Sequence, residues 1–518
     1  MEQLLLESLA NASLAPALPE DIGEALAEDV IGPLAESNVY PRSITAANHS
    51  LYFLGRREAQ RVVGVITTKD RRASVPGEPR SIRLANTALH LVLTEADTEA
   101  SQAMQEALPF LKPRVIGTAT SAGCGDRLGL ATPGHVRALS KTELAAVLCQ
   151  QSVRENTRTG RSPQQVLDDA LWGAWQEGWR KGFGADADHL KTTNEIDAFV
   201  EAGYTFFTID PGDHVDAKAD TAAASEIEAM VRALPWETLE SRPSDLVGTL
   251  CQKPLELDGR PCRLAAAQVR RAAAKYGRVV AHTVRMFRHL EERMADRPFE
   301  LEVSVDETDT VTSLAEHIYI ASELKRLGVR WISLAPRYVG DFEKGVDYIG
   351  DLAVFEASFR EHAAVARALG PYKLSLHSGS DKFRIYPVAA NHTRGLVHLK
   401  TAGTSYLEAL RAVAMTDAGL FRHILTLAVE RYPEDRASYH VSARIEALPA
   451  FAQMPDAALA DLLEDFHARE ILHVTYGSVL NHPELRPALF NTLEANASLY
   501  TTLIAKHFDR HLSPFEGR

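Results

Sequence analysis

Short apolar runs alternate with amphipathic stretches along most of the chain after Pro113. Each run has the length of a buried strand, and each following stretch has its apolar residues at helical spacing. The predicted strands are residues 114–120, 182–189, 204–210, 299–306, 329–335, 372–377, 395–400 and 438–442. The predicted helices include 141–155, 162–181, 192–202, 313–327, 352–369 and 406–414. Strands that alternate with helices in this way indicate a parallel sheet.

Eight strands of this kind predict an α/β protein with a closed (β/α)8 TIM barrel over residues 113–449. The main alternative is an open, doubly wound sheet, but no G-x-G-x-x-G motif follows the first predicted strand. Residues 215–298 have a mostly helical pattern and are predicted to be a helical insertion after the third strand. The polar side chains of such a barrel act at the carboxyl ends of its strands.

Two further units flank the predicted barrel. Residues 1–112 form a small N-terminal α+β unit in which we find no chemistry, so a cap or an oligomer contact is the favoured interpretation. Its predicted elements are the strands 50–54, 61–66 and 88–93 and the helix 95–111. Residues 450–518 are predicted to be a C-terminal helical extension.

Composition narrows the class of partner. The chain has 518 residues, 45% hydrophobic and 24% charged, as in an ordinary soluble protein. A net charge of −13 argues against nucleic acid and against an anionic membrane surface. The four cysteines have no C-x-x-C spacing, and there is no leader pattern or long apolar run. These features predict a cytoplasmic protein that acts on a small molecule, with homo-oligomerisation left open.

Ionisable residues concentrate where the predicted strands end. Gly-Ala-Asp-Ala-Asp-His-Leu-Lys (184–191) places Asp186, Asp188 and His189 at the end of one strand, and a later strand carries Glu302. Charged groups inside a barrel are costly unless they are paired or bind a metal. Their convergence therefore predicts a site, to which other strands contribute further polar residues. These are Asp210, Asp213, His214, Glu300, Ser304, Asp306, Arg337, His377, His398, Lys400 and His440.

Each of these residues also has a structural interpretation. Asp188 beside His189 could be a helix N-cap pair instead of part of a metal site. His398 and His440 lie in mid-strand positions, where a hydrogen-bonded core histidine is an equal alternative. Long cations at a barrel rim are often solvated and need not bind an anion.

Ordered blocks of the chain resemble the tagaturonate epimerase family. They include Gly-Ala-Asp-Ala-Asp-His-Leu-Lys (184–191), Ile-Asp-Pro-Gly-Asp-His-Val (209–215), Leu-Ala-Pro-Arg-Tyr-Val-Gly (334–340), Leu-His-Ser-Gly-Ser-Asp-Lys-Phe (376–383) and Lys-Thr-Ala-Gly-Thr-Ser-Tyr (400–406). The resemblance implies interconversion of D-tagaturonate and D-fructuronate with a divalent metal, and relatives act on fructose and tagatose. A more distant resemblance is to class II aldolases, in which an Asp does acid-base work and two His residues hold zinc.

The resemblance also implies roles for individual residues. Asp188 and Glu302 become the acid-base pair, and His189 and His377 become metal ligands. His398 is the expected third ligand, with Asp306 and His440 as alternatives. The metal could be zinc, manganese, cobalt or nickel, which all accept mixed nitrogen and oxygen ligands. The expected substrate contacts are Lys400, Lys382, Arg337 and Asp306.

The chemistry of this conversion suits such a site. The carbon to be inverted lies two bonds from the ketone, so its C–H bond is not acidified by that carbonyl. A retro-aldol cleavage between the alpha and beta carbons, followed by re-addition to the other face of the aldehyde, avoids this barrier. A class II-type aldolase that releases the fragments is the alternative enzyme, and a sugar-binding subunit without activity is a third hypothesis.

Overall fold

A closed barrel of eight parallel strands forms the centre of a computed structural model of the chain, which describes residues 1–10, 12–58, 60–252 and 254–516. Each strand pairs with its neighbour in sequence, and the last closes on the first through His398 and Ser121. The predicted (β/α)8 TIM barrel is therefore confirmed. Its strands are β1 (Ser121–Gly123), β2 (Ala145–Ser152), β3 (Gly184–Leu190), β4 (Phe206–Ile209), β5 (Glu300–Ser304), β6 (Ser333–Ala335), β7 (Lys373–Leu376) and β8 (Val397–Lys400).

Three of the predicted elements are wrong. Residues 114–120 are not a strand, because the N–H groups of Ile116 and Gly117 bind the Glu300 carboxylate below the barrel, and β1 begins after them. The helix predicted over 141–155 is mostly β2, whose continuous apolar run is that of a strand buried on both faces. Residues 438–442 lie outside the barrel, in a segment without strand pairing among the described residues.

The remaining helices lie close to their predicted positions around the barrel. The helix Thr193–Ala202 begins after Thr192, whose backbone N–H donates to the Glu195 carboxylate in the first turn at 2.8 Å. The other helices around the strands are Thr132–Leu139, Val153–Thr159, Pro163–Gln176, Leu314–Arg326, Leu352–Leu369, Tyr386–Thr393, Thr404–Thr416 and Ala418–Asp435.

The helical insertion follows β4, the fourth strand and not the third, because Ala145–Ser152 is a strand and not part of a helix. It contains the helices Ala224–Arg232 and Asp245–Cys251 and the long helix Ala266–Met294, which leads to β5. A short antiparallel hairpin, Leu255–Leu257 with Arg260–Cys262, was not predicted.

The N-terminal residues form an antiparallel sheet beside the barrel. One face contributes to the same apolar core as the barrel helices, and the other is covered by the chain's first helices. The sheet is tied to the barrel by the Trp175 indole N–H, which donates to the Ser43 carbonyl at 2.7 Å. Its elements are the helices Glu2–Leu9, Glu20–Leu26, Gly32–Ala35 and Thr98–Ala107 and the strands Asn38–Val39, Thr45–Ala47, Ser50–Arg57, Gln60–Thr68, Arg80–Leu84 and Thr87–Glu95.

The C-terminal residues form helices that pack on the barrel, as predicted. They are Phe466–Val474, Tyr476–Leu480, Leu485–Ala495 and Ala497–Leu512. In the described part of the chain, no helix combines the length and apolarity that a membrane span requires. The division of the chain at residues 112 and 449 stays a prediction.

Candidate active site at the carboxyl ends of the barrel strands

Three predicted residues meet where β3 and β7 end. Asp188 and His189 come from the end of β3, and His377 directly follows β7. The two imidazole rings lie 4.3 Å apart between centroids, and His189 has a φ of 53°, which turns the chain at the strand end. One potential ligand atom from each of the three residues lies within 4.8 Å of the others. The structure thus brings together three of the residues that the sequence places at strand ends.

Both imidazoles are oriented by a partner on Nδ1. His189 Nδ1–H donates to the Asp210 carboxylate at 3.0 Å. Ser304 Oγ donates to Asp306 and therefore accepts from His377 Nδ1, at 2.9 Å. Metal-binding histidines usually have such a partner on the nitrogen that does not bind the ion.

The Nε2 atoms are the nitrogens left for an ion. His377 Nε2 is buried, lies 3.3 Å from Asp188 Oδ1 and has no hydrogen-bond partner among the described residues. A buried nitrogen without a partner beside a carboxylate is costly unless a cation or a ligand binds there. The side chains present therefore fit a divalent cation.

Lys400, at the end of β8, is a buried cation surrounded by acids. Its Nζ lies 2.8 Å from carboxylate oxygens of Asp186 and Asp188 and 3.2 Å from Glu302 Oε1. It also donates to Thr208 Oγ1 at 2.6 Å. Lys400 thus neutralises part of the negative charge that β3 and β5 bring into the barrel.

This arrangement sets the protonation of the acids. Burial alone would raise the pKa of Asp188 and of Glu302, but Lys400 and the nearby imidazoles hold both below their usual values. Burial raises the pKa of Asp186 to about 6, despite the same ammonium group. Burial would lower the pKa of Lys400, and the surrounding carboxylates raise it above its usual value. Asp188 and Glu302 are therefore ionised at neutral pH and able to accept a proton.

Glu302 and His398 lie deeper in the barrel than the three grouped residues. Both are fully buried, and neither is among the described residues that line the cavity at the mouth. His398 Nδ1 lies 2.9 Å from Ser121 Oγ, which also accepts from Lys373 at 2.9 Å. Burial holds the pKa of His398 well below its usual value. Although it faces inward as predicted, His398 is not part of the group formed by Asp188, His189 and His377.

Two of the predicted substrate contacts, Lys382 and Arg337, differ in the groups that they bind in the structure. Lys382 Nζ donates to three carbonyl groups, those of Glu343, Val346 and Ser380, at 2.6–3.1 Å, an arrangement that favours a structural role. Arg337 donates from Nη1 to two carbonyls of its own loop and lines the cavity at the barrel mouth together with Asp306.

The cavity at the barrel mouth has two adjoining parts. Asp188, His189 and Lys400 face a narrow space of about 40 Å³, which adjoins a wider cavity of about 350 Å³. His377 and Lys344 line both parts. A larger cavity of about 600 Å³ lies elsewhere, between the N-terminal sheet and the C-terminal helices, and none of the predicted site residues is among the described residues that line it.

Some functional groups were missed or misplaced by sequence reasoning. The His440 side chain is 76% exposed, outside the barrel strands, because the strand predicted around it does not form. Lys344 comes from the loop after β6, where no periodic pattern marks an inward-facing residue. Asp210 is among the predicted strand-end residues, but its hydrogen bond to His189 Nδ1 was not predicted.

A second buried group of potential ligands contains Asp381, His507 and His511. His511 Nε2 accepts the Asp381 backbone N–H at 3.0 Å, and its Nδ1 bonds to the His507 carbonyl. His507 Nε2 lies 2.7 Å from Asp381 Oδ1, and Arg469 lies 3.2 Å from the other oxygen. These nitrogens already have partners, so this group joins the β7 loop to the C-terminal helices instead of forming an ion site.

The closed barrel and the acids and imidazoles at its mouth define a TIM-barrel enzyme. The family model described as tagaturonate epimerase (UxaE) matches residues 40–515. The chain belongs to this family of carbohydrate epimerases, which are isomerases.

Individual relatives are similar to this chain in sequence and in structure over most of its length. The chain is 44% identical over 423 residues to a tagaturonate/fructuronate epimerase of Thermotoga maritima, with 82% of this chain and 86% of the relative covered. A glycerol-complexed crystal structure of a fructuronate-tagaturonate epimerase from Cohnella laeviribosi is similar with a TM-score of 0.86 at 33% identity. That match covers 94% of this chain and 99% of the other, and the native structure of the same protein matches equally at 32% identity.

Proposed function

We propose that this chain is a divalent metal-dependent epimerase that interconverts D-tagaturonate and D-fructuronate by retro-aldol cleavage and re-addition. The names of the relatives support the substrate pair. The observation that carries the metal-dependent chemistry is the placement of two oriented imidazoles and one ionised carboxylate around a shared point at the mouth of the barrel.

His189 and His377 would hold the ion through Nε2, with Asp188 beside them. When bound, a divalent cation supplies Lewis acidity that stabilises negative charge developing on the substrate oxygens. Asp210 and Ser304 fix the two rings so that little ordering is needed when the ion binds.

Asp188 is the group placed to take the hydroxyl proton from the carbon that is inverted. Its low pKa keeps it in the ionised form that can accept a proton, and it lines the narrow space beside both imidazoles. Loss of that proton allows the carbon–carbon bond to break, and the hydroxyl carbon becomes an aldehyde. After the aldehyde turns its other face, re-addition restores the hydroxyl group with inverted configuration.

Glu302 would complete the acid-base pair through Lys400. The ammonium group is within hydrogen-bonding range of both Asp188 and Glu302 and so connects the two carboxylates. Lys400 is therefore proposed as a link between the two acids in addition to its predicted contact with substrate.

A proton and carbon NMR time course tests this function. The protein, stripped with chelator and reloaded with Mn²⁺, Co²⁺, Ni²⁺ or Zn²⁺, is offered tagaturonate, fructuronate, fructose and tagatose in turn in D₂O. We expect metal-dependent interconversion of the two uronates, with no deuterium at the inverted carbon. Deuterium at that carbon would contradict retro-aldol chemistry, and net accumulation of a three-carbon aldehyde would indicate an aldolase.

A further inference from the structure

Lys344 is a cation at the junction of the two parts of the cavity. Its side chain is 20% exposed, and its Nζ donates to Ser378 Oγ at 2.8 Å and to Glu307 Oε1 at 3.0 Å. Ser378 directly follows His377, so the hydroxyl and the imidazole lie on the same short turn. Lys344 therefore presents a positive charge next to the proposed ion site.

The Glu307 carboxylate lies between Lys344 and the imidazole of His189. The same oxygen of Glu307 that contacts Lys344 lies 3.9 Å from His189 Nε2 and 3.6 Å from Arg154. The Glu307 side chain is 31% exposed and lines the wider cavity, so it reaches this position from the open side. The position is thus suited to a carboxylate oxygen.

The spacing matches the length of a uronate. Since one oxygen lies 3.0 Å from Lys344 Nζ and 3.9 Å from His189 Nε2, the two nitrogens are at most about 7 Å apart. The ketone and carboxylate carbons of a six-carbon keto acid lie about 5 Å apart in an extended chain with bonds near 1.5 Å. This upper limit is compatible with a substrate whose ketone end lies at the imidazoles and whose carboxylate reaches Lys344.

We propose that Lys344, assisted by Ser378, binds the substrate carboxylate in place of Glu307 and so retains the aldehyde half during epimerisation. This inference rests on the proposed function. In the cleavage step the electron pair of the carbon–carbon bond stays on the ketone half, and the hydroxyl proton goes to Asp188. The carboxylate remains on the aldehyde half. Lys344 holds this half by its carboxylate while the aldehyde carbonyl rotates to present its other face. Re-addition returns the electron pair to the carbonyl carbon and a proton to its oxygen, so no other reactant is needed.

The test compares Lys344→Met with Lys141→Met, which removes an exposed lysine paired with Asp509. Binding of D-tagaturonate and of D-tagatose, which lacks the carboxylate, is measured by calorimetry on the metal-loaded proteins. We expect tagaturonate affinity to fall about 10- to 100-fold in Lys344→Met, as for loss of a charge-assisted hydrogen bond, and tagatose affinity to stay within about twofold. Metal content should not change in either variant.

A turnover assay adds a second readout. With phenylhydrazine as an aldehyde trap, Lys344→Met should release more three-carbon aldehyde per epimerisation than the wild type, and Lys344→Arg should restore retention. A variant that still prefers tagaturonate, or a wild type without that preference, would overturn the assignment. If the preference depends on Lys344 but no uronate is turned over, the proposed function fails and the carboxylate site stands. Should Lys344→Met not fold, Ser378→Ala provides the same comparison with a smaller expected loss.

Discussion

Lys400 is a buried ammonium group whose acidic and hydroxyl partners come from β3, β4 and β5. Replacing it with Met would leave Asp186, Asp188 and Glu302 crowded together without a cation. We expect Lys400→Met to lower the free energy of unfolding by about 3–5 kcal/mol, the usual cost of removing one partner from a buried ion pair. Urea denaturation measures this, with Lys141→Met as an exposed control that costs about 1 kcal/mol or less. Equal stability of the two variants would show that the acids do not need Lys400.

Asp210 acts on the proposed ion site through His189. Asp210→Asn weakens the hydrogen bond that fixes the ring, so we expect about 10- to 100-fold weaker metal binding. The matched control is Asp213→Asn, since Asp213 lies on the same turn with its side chain 71% exposed and paired with Lys191. Competition with a metal-sensitive dye gives both affinities, and an unchanged affinity in Asp210→Asn would argue against His189 as a ligand.

The pattern of polar residues at strand ends predicts correctly which of these residues come together. It does not predict how deep each one lies in the barrel. Asp188, His189 and His377 are together because the carboxyl ends of parallel strands share one rim. Because side chains alternate between inward and outward along a strand, the sequence predicts that His398 faces inward. The alternation does not show how deep in the barrel a residue lies, and His398 lies below the rim. Lys344 could not be found this way, since its loop has no period.

At the scale of elements, the strand count was right through compensating errors. β2 (Ala145–Ser152) was assigned to a helix because alanines and a continuous apolar run suit both a helix and a strand buried on two faces. Residues 438–442 alternate like a strand, yet they have no sheet neighbour among the described residues. Long amphipathic helices such as Leu352–Leu369 were placed correctly, since their periodic pattern extends over many turns.

The C-terminal helix Ala497–Leu512 fixes the loop after β7 through Asp381. Burial would raise the pKa of Asp381, but Arg469 and His507 hold it well below its usual value. Such a group stabilises the fold above its unfolded pKa of about 4, and the contribution is lost as the pH falls below that value. Asp381→Asn should lower the free energy of unfolding at pH 7 by about 3–5 kcal/mol and reduce its dependence on pH between about 5 and 3. Denaturation at several pH values measures both, and a wild-type-like pH profile would contradict this role.

At the scale of the whole molecule, ion binding and folding stability are linked. A ligand that binds the folded chain alone stabilises it by about 2.7 kcal/mol at a concentration of 100 times its Kd. We therefore expect Mn²⁺ or Zn²⁺ to raise the Tm of chelator-treated wild type, and His377→Ala to show little or no such rise. His392→Ala, which changes a partly exposed histidine paired with Glu356 away from the barrel mouth, is the control and should respond like wild type. An equal rise in His377→Ala would place the ion elsewhere.

The proposed chemistry depends most on where the ion binds, and anomalous diffraction from crystals soaked in Zn²⁺ or Mn²⁺ measures this position directly. The predicted result is one strong peak about 2.0–2.3 Å from His189 Nε2 and from His377 Nε2, next to Asp188. A strong peak at another place, with both imidazoles unliganded, would contradict the proposed metal site and the chemistry built on it.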